Sequence, residues 1–166
     1  MIFRNAIIED LPIIVEIYNS TIAGRMVTAD VEAVTVQEKS AWFTEHDERR
    51  PLWIVEMENE IIGWVSLQDF YGRPAYNGTA EISIYLQEKY RGKGLGKKIL
   101  FTSIHRAAAL HIHNLLGYIF AHNAASIKLF TQAGFAEWAH LPGIATIDGK
   151  ELSLKIYGKK IIKKVG

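Results

Sequence analysis

Hydrophobic and polar residues alternate with a period of two over residues 79–86 of the chain. Every second side chain is aliphatic and the ones between carry polar groups, in the order Glu81, Ile82, Ser83, Ile84, Tyr85, Leu86. This alternation predicts a β-strand with two different faces. After Gly96 the apolar spacing changes to three and four residues, as in Leu100, Ile104 and Ala107, which is typical of a helix. The pattern therefore predicts a strand, a glycine-rich turn and a helix, in that order.

The same two periodicities place the other elements along the chain. Apolar stripes predict helices over residues 11–24, after Thr35, and over residues 124–132, with Asp10 and Thr35 as N-terminal caps. Short apolar segments between turn residues predict strands over residues 2–7, 52–57, 61–67, 115–120, 135–140 and 151–157. This mixed order of strands and helices predicts the α/β fold class.

Composition places the chain among globular proteins. Its 166 residues are 49% hydrophobic and 22% charged, with a net charge of +1, so no charge excess indicates nucleic acid as a partner. The absence of cysteine excludes thiol nucleophiles and thiolate metal sites. No signal-peptide pattern is visible, and no apolar run reaches the roughly 18 residues that span a bilayer. We therefore expect a cytoplasmic protein without membrane contact. Residues 1–166 should form one domain, with a core at 1–158 and a basic tail at 159–166.

The turn between the central strand and its helix is suited to bind an anion. The glycines at alternate positions 92, 94 and 96 let backbone N–H groups approach a ligand closely. The helix start adds a partial charge of about +0.5, and the basic side chains nearby are Arg91, Lys93, Lys97 and Lys98. A phosphate or pyrophosphate is the expected ligand; a plain glycine turn with solvated lysines is the alternative. The spacing fits neither a P-loop nor a dinucleotide-binding turn.

Two segments resemble the GNAT superfamily of N-acetyltransferases. The first is Arg-x-x-Gly-x-Gly at residues 91–96, directly after an Ile-Ser-Ile-Tyr strand, and it resembles the pyrophosphate loop of these enzymes. The second runs from Asn123 to Phe135 as Asn-x-x-Ser-x-x-Leu-aromatic-x-x-x-Gly-Phe, and it resembles their second cofactor element. The resemblance implies a mixed, mostly antiparallel central sheet that splays after the fourth strand and is flanked by about four helices.

The resemblance also implies acetyl-CoA as the cosubstrate. Asn123 is then expected to bond the pantetheine arm, which should also pair with the freed strand backbone at residues 84–86. The full set of expected cofactor contacts is Ile84, Tyr85, Leu86, Arg91, Gly92, Lys93, Gly94, Leu95, Gly96, Lys97, Asn123, Ser126 and Phe130.

Shorter matches resemble one branch of the superfamily, the phosphinothricin N-acetyltransferase-like enzymes. They are Ile17-Tyr18-Asn19, Arg73-Pro74 ahead of Thr79-Ala80-Glu81, Leu141-Pro142-Gly143 and Asp148-Gly149-Lys150. The likeness extends over nearly the whole chain. It implies a small amino acid or analogue as the amine acceptor, similar to phosphinothricin or methionine sulfoximine, and it implies a homodimer.

Glu81 is the predicted general base. Acetyl transfer needs an unprotonated amine, and neutralising a lysine-like ammonium at pH 7 costs about 4.6 kcal/mol, against about 1.4 kcal/mol for an α-ammonium. A positioned carboxylate is therefore most useful for an α-amine. Glu81 faces opposite to Ile82 and Ile84, and a glutamate at this strand position is the proposed base in the resembled branch. An ordinary solvent-facing strand glutamate is the alternative.

The expected oxyanion donor is the backbone N–H of Tyr85 or Leu86. Many GNAT enzymes have a tyrosine where this chain has Phe130, so the sulfur is expected to take its proton from water or from a hydroxyl such as that of Tyr85. A thiol with a pKa near that of cysteine, about 8.5, lies only about 2 kcal/mol from stability as a thiolate at pH 7. A dedicated acid is therefore dispensable.

The loop before Glu81 carries predicted acceptor-binding residues. Arg73 could clamp a carboxylate or phosphinate with two hydrogen bonds, and Tyr76 lies close by in sequence; a surface arginine beside a half-buried tyrosine is the alternative. Asn19 and Arg25 border the early loop, where the resembled family forms its acceptor lid, and Asn19 completes the predicted set.

The histidines do not predict a metal site. His111, His113 and His122 have no thiolate partner and no helical spacing among them, so no metal is expected. Two other functions stay open beside the amino-acid acetyltransferase: acetylation of a protein or peptide amine, and non-catalytic binding of acyl-CoA by a regulator.

Overall fold

The computed structural model describes residues 1–161, which form seven strands and four α-helices. In chain order the elements are β1 (Ile2–Asn5), α1 (Leu11–Asn19), α2 (Val36–Thr44), β2 (Leu52–Met57), β3 (Glu60–Asp69), β4 (Thr79–Leu86), α3 (Leu95–Ala109), β5 (Asn114–Phe120), α4 (Ala124–Gln132), β6 (Ala136–Ile147) and β7 (Lys150–Lys160). Three single turns of 3₁₀ helix occur at Ile8–Asp10, Pro74–Tyr76 and Glu88–Tyr90.

The strands form one sheet in the order β1-β2-β3-β4-β5-β7-β6. All neighbouring strands run antiparallel except β4 and β5, which are parallel. A parallel neighbour requires a crossover connection, and α3 supplies it. The predicted α/β class and the mixed, mostly antiparallel sheet are confirmed.

Helices cover both faces of the sheet. On one face α3 and α4 pack over a buried cluster that includes Ile82 of β4. On the other face α1 packs over a second cluster around Trp64, which Tyr85 of β4 joins with α2. Because side chains alternate along a strand, Glu81 shares the face of Tyr85, opposite to Ile82, as the sequence predicts.

Strands β4 and β5 separate soon after they meet. Pairing is confined to residues 79–81 of β4 against residues 114–116 of β5. Beyond that point β4 stays paired with β3 as far as Leu86, and β5 stays paired with β7 as far as Phe120. The two halves of the sheet therefore diverge and leave a gap, which confirms the predicted splay after the fourth strand.

Helix α1 is shorter than predicted because hydroxyl side chains compete with its continuation. It ends at Asn19 instead of near Gly24. The hydroxyls of Ser20 and Thr21 donate to the carbonyls of Ile17 and Tyr18 at 2.6 and 2.7 Å, a local bonding pattern that replaces helical bonds.

The predicted cap of α1 also has a different task. The carboxylate of Asp10 accepts from the Ile7 N–H at 2.8 Å and from the Arg4 guanidinium at 2.7 and 2.9 Å. At α2 the prediction is right, because Thr35 caps the helix and Glu38 completes the capping box.

The boundary between core and tail lies later than predicted. Strand β7 continues to Lys160, and the N–H of the buried Ile161 donates to the carbonyl of His113 at 2.6 Å. Lys159 donates to the Ala133 carbonyl at the end of α4, at 2.7 Å, where a cation stabilises the helix terminus. Residue 159 therefore belongs to the folded core, and the remainder of the predicted tail, residues 162–166, lies outside the described residues.

Candidate active site

The gap between β4 and β5 opens into a cavity of about 210 Å³. Residues 82–86 of β4 form one wall, residues 117–119 of β5 and three side chains of α4 form the other, and Met26 and Val27 contribute from the segment after α1. Among the predicted cofactor contacts, the cavity brings together Ile84, Tyr85, Leu86, Arg91, Gly96, Asn123, Ser126 and Phe130.

The glycine-rich turn lies beside this cavity, at the start of α3. Gly92 and Gly94 have φ values of +71° and +76°, and Gly94 is the N-terminal cap of the helix. Both lie in the left-handed region that only glycine enters without strain, and an added Cβ on either would meet no atom within 4 Å. The turn therefore presents open backbone at a helix N-terminus, with the exposed side chains of Lys93 and Lys97 nearby.

Arg91 fixes the position of this turn. Its Nε donates to the Leu86 carbonyl at 3.0 Å and its Nη2 donates to the Ser20 hydroxyl at 2.7 Å. One guanidinium thus joins the end of β4, the end of α1 and the glycine-rich turn. Leu95, the first residue of α3, packs partly buried against the core and anchors the helix start from inside.

The shape of the cavity depends on a close contact between β5 and α4. The Phe130 ring lies against Gly117 so tightly that a Cβ there would be 2.4 Å from the ring. Phe130 also packs edge-on against Phe135, with ring centroids 4.8 Å apart. The position therefore supplies an apolar wall and no hydroxyl.

Asn123 and His122 connect the cavity wall to the segment after α1. Asn123 is buried; its Oδ1 accepts from the Ser126 N–H, which caps α4, and its Nδ2 donates to the Met26 carbonyl, both at 3.1 Å. His122 Nε2 bonds the Arg25 carbonyl at 2.9 Å. The predicted pantetheine contact of Asn123 stays a prediction, and the side chain already holds residues 25–26 in place.

The hydrogen-bond register of β4 decides which backbone groups face the gap. Gln87 N–H donates to the Ile62 carbonyl of β3 at 2.9 Å. Since backbone groups alternate between the two edges of an antiparallel strand, the Tyr85 N–H points to β3, and those of Ile84 and Leu86 point to the gap. Of the two predicted oxyanion donors, only Leu86 is therefore directed toward the gap.

Glu81 lies where β4 and β5 separate. Its side chain is half-buried and has no hydrogen-bond or ion-pair partner within residues 1–161. Burial raises the pKa of this carboxyl above its ordinary value, because a charged group loses solvation there. A carboxylate with these properties is a stronger base than one on an open surface.

Tyr85 is held between aromatic rings. Its ring stacks on Trp64 at 4.4 Å between centroids and lies 5.3 Å from the ring of Tyr18. Burial raises the pKa of Tyr85 well above its ordinary value, and Tyr18, Glu81 and Asp30 act in the same direction. A hydroxyl that holds its proton so tightly is a weak acid, so these surroundings do not favour Tyr85 as the proton donor.

Four further residues belong to this region although the sequence analysis did not select them. Tyr18 donates to Asp30 and shares a hydrogen bond with Thr28 at 2.5 Å. Burial and the bond to Asp30 raise the pKa of Tyr18 to about 12. Tyr118 of β5 lines the cavity, and burial and Glu81 raise its pKa. Tyr18 could not be singled out from the sequence because it belongs to the apolar stripe of α1. Thr28 and Asp30 lie in a segment without hydrophobic periodicity.

The structure gives Asn19 a structural task. Its Nδ2 donates to the Val34 carbonyl and its Oδ1 accepts from the Val34 N–H, both at 2.9 Å. These two bonds hold the segment between α1 and α2 to the end of α1. The amide keeps a second N–H and a second lone pair, so its predicted contact with an acceptor stays a prediction.

Arg73 and Tyr76 are exposed on the loop between β3 and β4. Tyr76 packs against Phe70 and Tyr71 with centroid distances of 5.6 and 5.8 Å, and these residues do not line the cavity.

The ends of this loop are held by Arg50. Its guanidinium is buried, pairs with Asp69 at 2.8 Å and donates to the Asn77 carbonyl at 2.7 Å. One buried cation therefore ties the last residue of β3 to the residues just before β4, and it fixes the base of the loop that carries Arg73.

Within residues 1–161 no group of three or more metal-ligating side chains comes together. Over the same part of the chain, no helix is long and apolar enough to cross a membrane.

Comparison with known proteins gives concordant results. The model of the acetyltransferase (GNAT) family matches residues 14–135. A Bacillus subtilis protein named "Putative phosphinothricin acetyltransferase YwnH" is 51% identical over 162 residues, covering 97% of this chain and 99% of its own length. The L-methionine sulfoximine/L-methionine sulfone acetyltransferase of Pseudomonas aeruginosa is 32% identical over 153 residues, 91% of this chain and 89% of its own. The structure of yncA from Salmonella typhimurium with its cofactor acetyl-CoA superposes with a TM-score of 0.89 and 27% identity, covering 100% of this chain and 96% of that one.

These matches agree with the geometry of the site. The family model covers most of the chain, and the relative with 51% identity extends along nearly all of it. The splayed sheet and the glycine-rich turn at the start of α3 are the features that the resemblance predicted. The chain therefore belongs to the acetyltransferase (GNAT) family, and it is an acyltransferase.

Proposed function

We propose that the protein transfers the acetyl group of acetyl-CoA to the primary amine of a small amino acid or amino-acid analogue, by direct attack of the amine on the thioester. The observation that carries the proposal is the separation of β4 from β5 next to the turn at Gly92 and Gly94. An acyl-CoA needs a free strand edge for its pantetheine amides and a group of N–H donors for its diphosphate, and the two lie side by side here.

The residues around the gap fit acetyl-CoA. We assign the diphosphate to the backbone of residues 92–97, with Lys93 and Lys97 as exposed counter-charges. The pantetheine arm would pair with the free edge of β4 at Ile84 and Leu86, and Phe130 would form the apolar wall near the thioester. The naming of acetyl-CoA as the cofactor of the Salmonella protein supports this assignment.

Glu81 removes the proton that blocks the acceptor's nitrogen, directly or through one water. The freed lone pair then forms the C–N bond, and the Leu86 N–H stabilises the negative charge on the carbonyl oxygen. When the C–S bond breaks, its electron pair leaves with sulfur. The ammonium gives up two protons in all: one leaves to solvent through Glu81, and the other balances the proton that sulfur gains as CoA–SH.

The burial of Glu81 supports its role as the base. Its pKa is raised toward that of an α-ammonium, and a smaller difference in pKa makes the proton transfer less costly. Phe130 has no hydroxyl, and Tyr85 holds its proton tightly. We therefore propose water as the source of the proton on sulfur.

The acceptor class follows from the names of the relatives. One is named for phosphinothricin and another for L-methionine sulfoximine and L-methionine sulfone, which share an α-amino-acid framework. We propose that Arg73 and Tyr76 contribute to acceptor binding from their exposed loop. We further propose that residues 1–166 act as one domain, in the cytoplasm and as a homodimer.

The test is a thiol-release assay with acetyl-CoA and a panel of amines. We expect CoA release with methionine sulfoximine, methionine sulfone or phosphinothricin, and a far lower rate with polyamines and peptides at equal concentration. Release with peptides alone would favour the peptide acetyltransferase instead. Calorimetric binding of acetyl-CoA without thiol release from any amine would favour the non-catalytic regulator.

A further inference from the structure

The segment between α1 and α2 brings a second carboxylate close to Tyr85. Asp30 Oδ2 accepts a hydrogen bond from the Tyr18 hydroxyl, and the Tyr18 ring lies 5.3 Å from the Tyr85 ring. Thr28 supports this arrangement, because its hydroxyl lies 2.5 Å from the Tyr18 oxygen and also accepts from the Asp30 N–H at 3.2 Å. Asp30 is half-buried, and its Oδ1 has no hydrogen-bond or ion-pair partner within residues 1–161.

Glu81 approaches the same place from the strand. It lies on the face of β4 that carries Tyr85, and the charges of Glu81 and Asp30 both act on the Tyr85 hydroxyl. Two carboxylates therefore lie on the side of the sheet that α1 and α2 cover: Glu81 on the face of β4 that carries Tyr85, and Asp30 through its bond to the neighbouring Tyr18. Neither is neutralised by an ion pair in the described part of the chain.

The cations near these two carboxylates are engaged with other groups. Arg25 pairs with Asp148 at 2.9 Å, and Arg91 donates to the Leu86 carbonyl and the Ser20 hydroxyl. The Lys39 ammonium lies over the Tyr18 ring, 4.6 Å from its centroid, and 5.3 Å from that of Trp42. None of these three cations therefore forms an ion pair with Glu81 or Asp30 within residues 1–161.

We infer that Asp30 determines acceptor specificity: it favours amino-acid analogues whose side chain offers a hydrogen-bond donor or a positive charge, and it disfavours those with an anionic side chain. The inference rests on the proposed function, because it refines the acceptor of the same site. A half-buried carboxylate oxygen without a partner gains a charge-assisted hydrogen bond from a donor. The same oxygen repels an anion, and partial burial limits the screening of that repulsion.

Three acceptors with one framework separate these effects. Methionine sulfoximine carries an N–H on its sulfur, methionine sulfone carries two oxygens and no donor, and phosphinothricin carries an anionic phosphinate. Asp30 should therefore rank them sulfoximine first, sulfone second and phosphinothricin last. A hydrogen bond to a charged group corresponds to a factor of about 10 to 100 in kcat/KM.

The experiment compares kcat/KM for the three acceptors in the wild type, Asp30→Ala and Asp30→Asn, by thiol release at saturating acetyl-CoA. Asp30→Ala removes the hydrogen-bond acceptor, so the preference for sulfoximine over sulfone should fall about 10-fold or more. Asp30→Asn removes the charge and keeps a partner for Tyr18, so the relative rate with phosphinothricin should rise several-fold. Glu32→Gln is the matched control, because it removes one charge from an exposed position of the same segment, and it should leave both ratios within about twofold.

The outcomes separate the two proposals. Acetylation of amino acids with ratios that are the same in the wild type and both Asp30 variants would overturn the role of Asp30 and leave the proposed function intact. A wild-type preference for phosphinothricin over sulfoximine would also overturn it. A wild type that releases no thiol with any amino-acid acceptor would overturn the proposed function, and the role of Asp30 with it.

Discussion

The two sides of the gap differ in the groups that line them, which are backbone groups on one side and side chains on the other. On the side proposed for the cofactor, backbone groups line the gap: the turn at Gly92 and Gly94 and the free edge of β4. On the side proposed for the acceptor, the polar groups are side chains that come from separate elements, with Glu81 on β4, Tyr18 on α1 and Asp30 in the segment that follows.

This difference separates the binding of the cosubstrate from the selection of the acceptor. Backbone N–H groups recognise a diphosphate and amides whatever side chains surround them, which suits a cosubstrate that stays the same. Side chains can change one at a time without disturbing the sheet, which suits an acceptor that differs between relatives. Substitutions on the two sides should therefore affect different constants, and the Glu81 and Gly94 variants test that separation.

The largest effect is expected from Glu81→Gln. Removal of the general base should lower kcat by a factor of about 10² to 10⁴, while the Kd for acetyl-CoA measured by calorimetry should stay within about twofold because the cofactor side is untouched. Glu88→Gln, at an exposed position just after β4, is the control and should behave as the wild type. An unchanged kcat across the pH range would remove Glu81 from the mechanism.

The pH profile sharpens the same test. Burial raises the pKa of Glu81 above the ordinary 4.5, so the wild-type kcat/KM should fall as the pH drops through that raised pKa, because the base becomes protonated. The acid limb that belongs to Glu81 should be absent from the Glu81→Gln profile. A limb that persists in the variant would assign it to another group.

A smaller effect on the cofactor side is expected from Gly94→Ala. Gly94 and Gly149 have φ values of +76° and +73°, and an added Cβ meets nothing within 4 Å at either. Both alanine variants should therefore lose about 1–2 kcal/mol of stability from left-handed strain. Only Gly94→Ala should weaken acetyl-CoA binding, by about 10-fold, because only there do the N–H groups face the ligand. Equal losses of affinity in the two variants would contradict the backbone site.

The smallest effect concerns His46, which anchors α2 on the acceptor side. Its Nδ1 donates to the Trp42 carbonyl at 2.9 Å, so its Nε2 accepts from the Ser66 hydroxyl at 2.7 Å. Burial lowers the pKa of His46 below the ordinary 6.5. The unfolded chain therefore binds a proton below pH 6.5 that the folded chain does not, and the free energy of unfolding should fall as the pH drops from 6.5 toward the folded pKa.

Denaturant titrations at pH 7.5, 6.5 and 5.5 would measure this loss. His46→Gln should abolish the part of the pH dependence that comes from this residue, whereas the exposed control His105→Gln should keep it. An identical dependence in wild type and His46→Gln would show that another group is responsible.

The elements that form the proposed cofactor side could be predicted from the sequence because their residues are contiguous. Strand β4 and helix α4 have the predicted bounds, 79–86 and 124–132, since alternation and helical spacing both report on short-range geometry. The turn between β4 and α3 lies in one segment, so its glycines and basic residues could be seen together.

The proposed acceptor side could be predicted only in part, because loops bring its groups together. The strand position and the facing direction of Glu81 follow from the alternation in β4, but Asp30 and Tyr18 meet through a loop whose path no periodicity encodes. Asn19 shows the same limit: its type and position suggest a ligand contact, and no periodicity indicates that both of its polar groups bond the Val34 backbone. How many hydrogen bonds a side chain can still make to a ligand depends on which backbone groups fold next to it. The pattern of a single sequence does not show which groups these are.

The hydrogen bonds that His122 and Asn123 make to residues 25–26 bear on the order in which the two substrates arrive. A pantetheine amide that hydrogen-bonds Asn123 would lie next to the Met26 carbonyl, which Asn123 already bonds. The same segment continues along the chain to Asp30. Binding of acetyl-CoA would thereby set the position of the residues that contact the acceptor amine. We expect compulsory-order kinetics with the acyl donor first, seen as product inhibition by CoA that is competitive with acetyl-CoA and not with the acceptor.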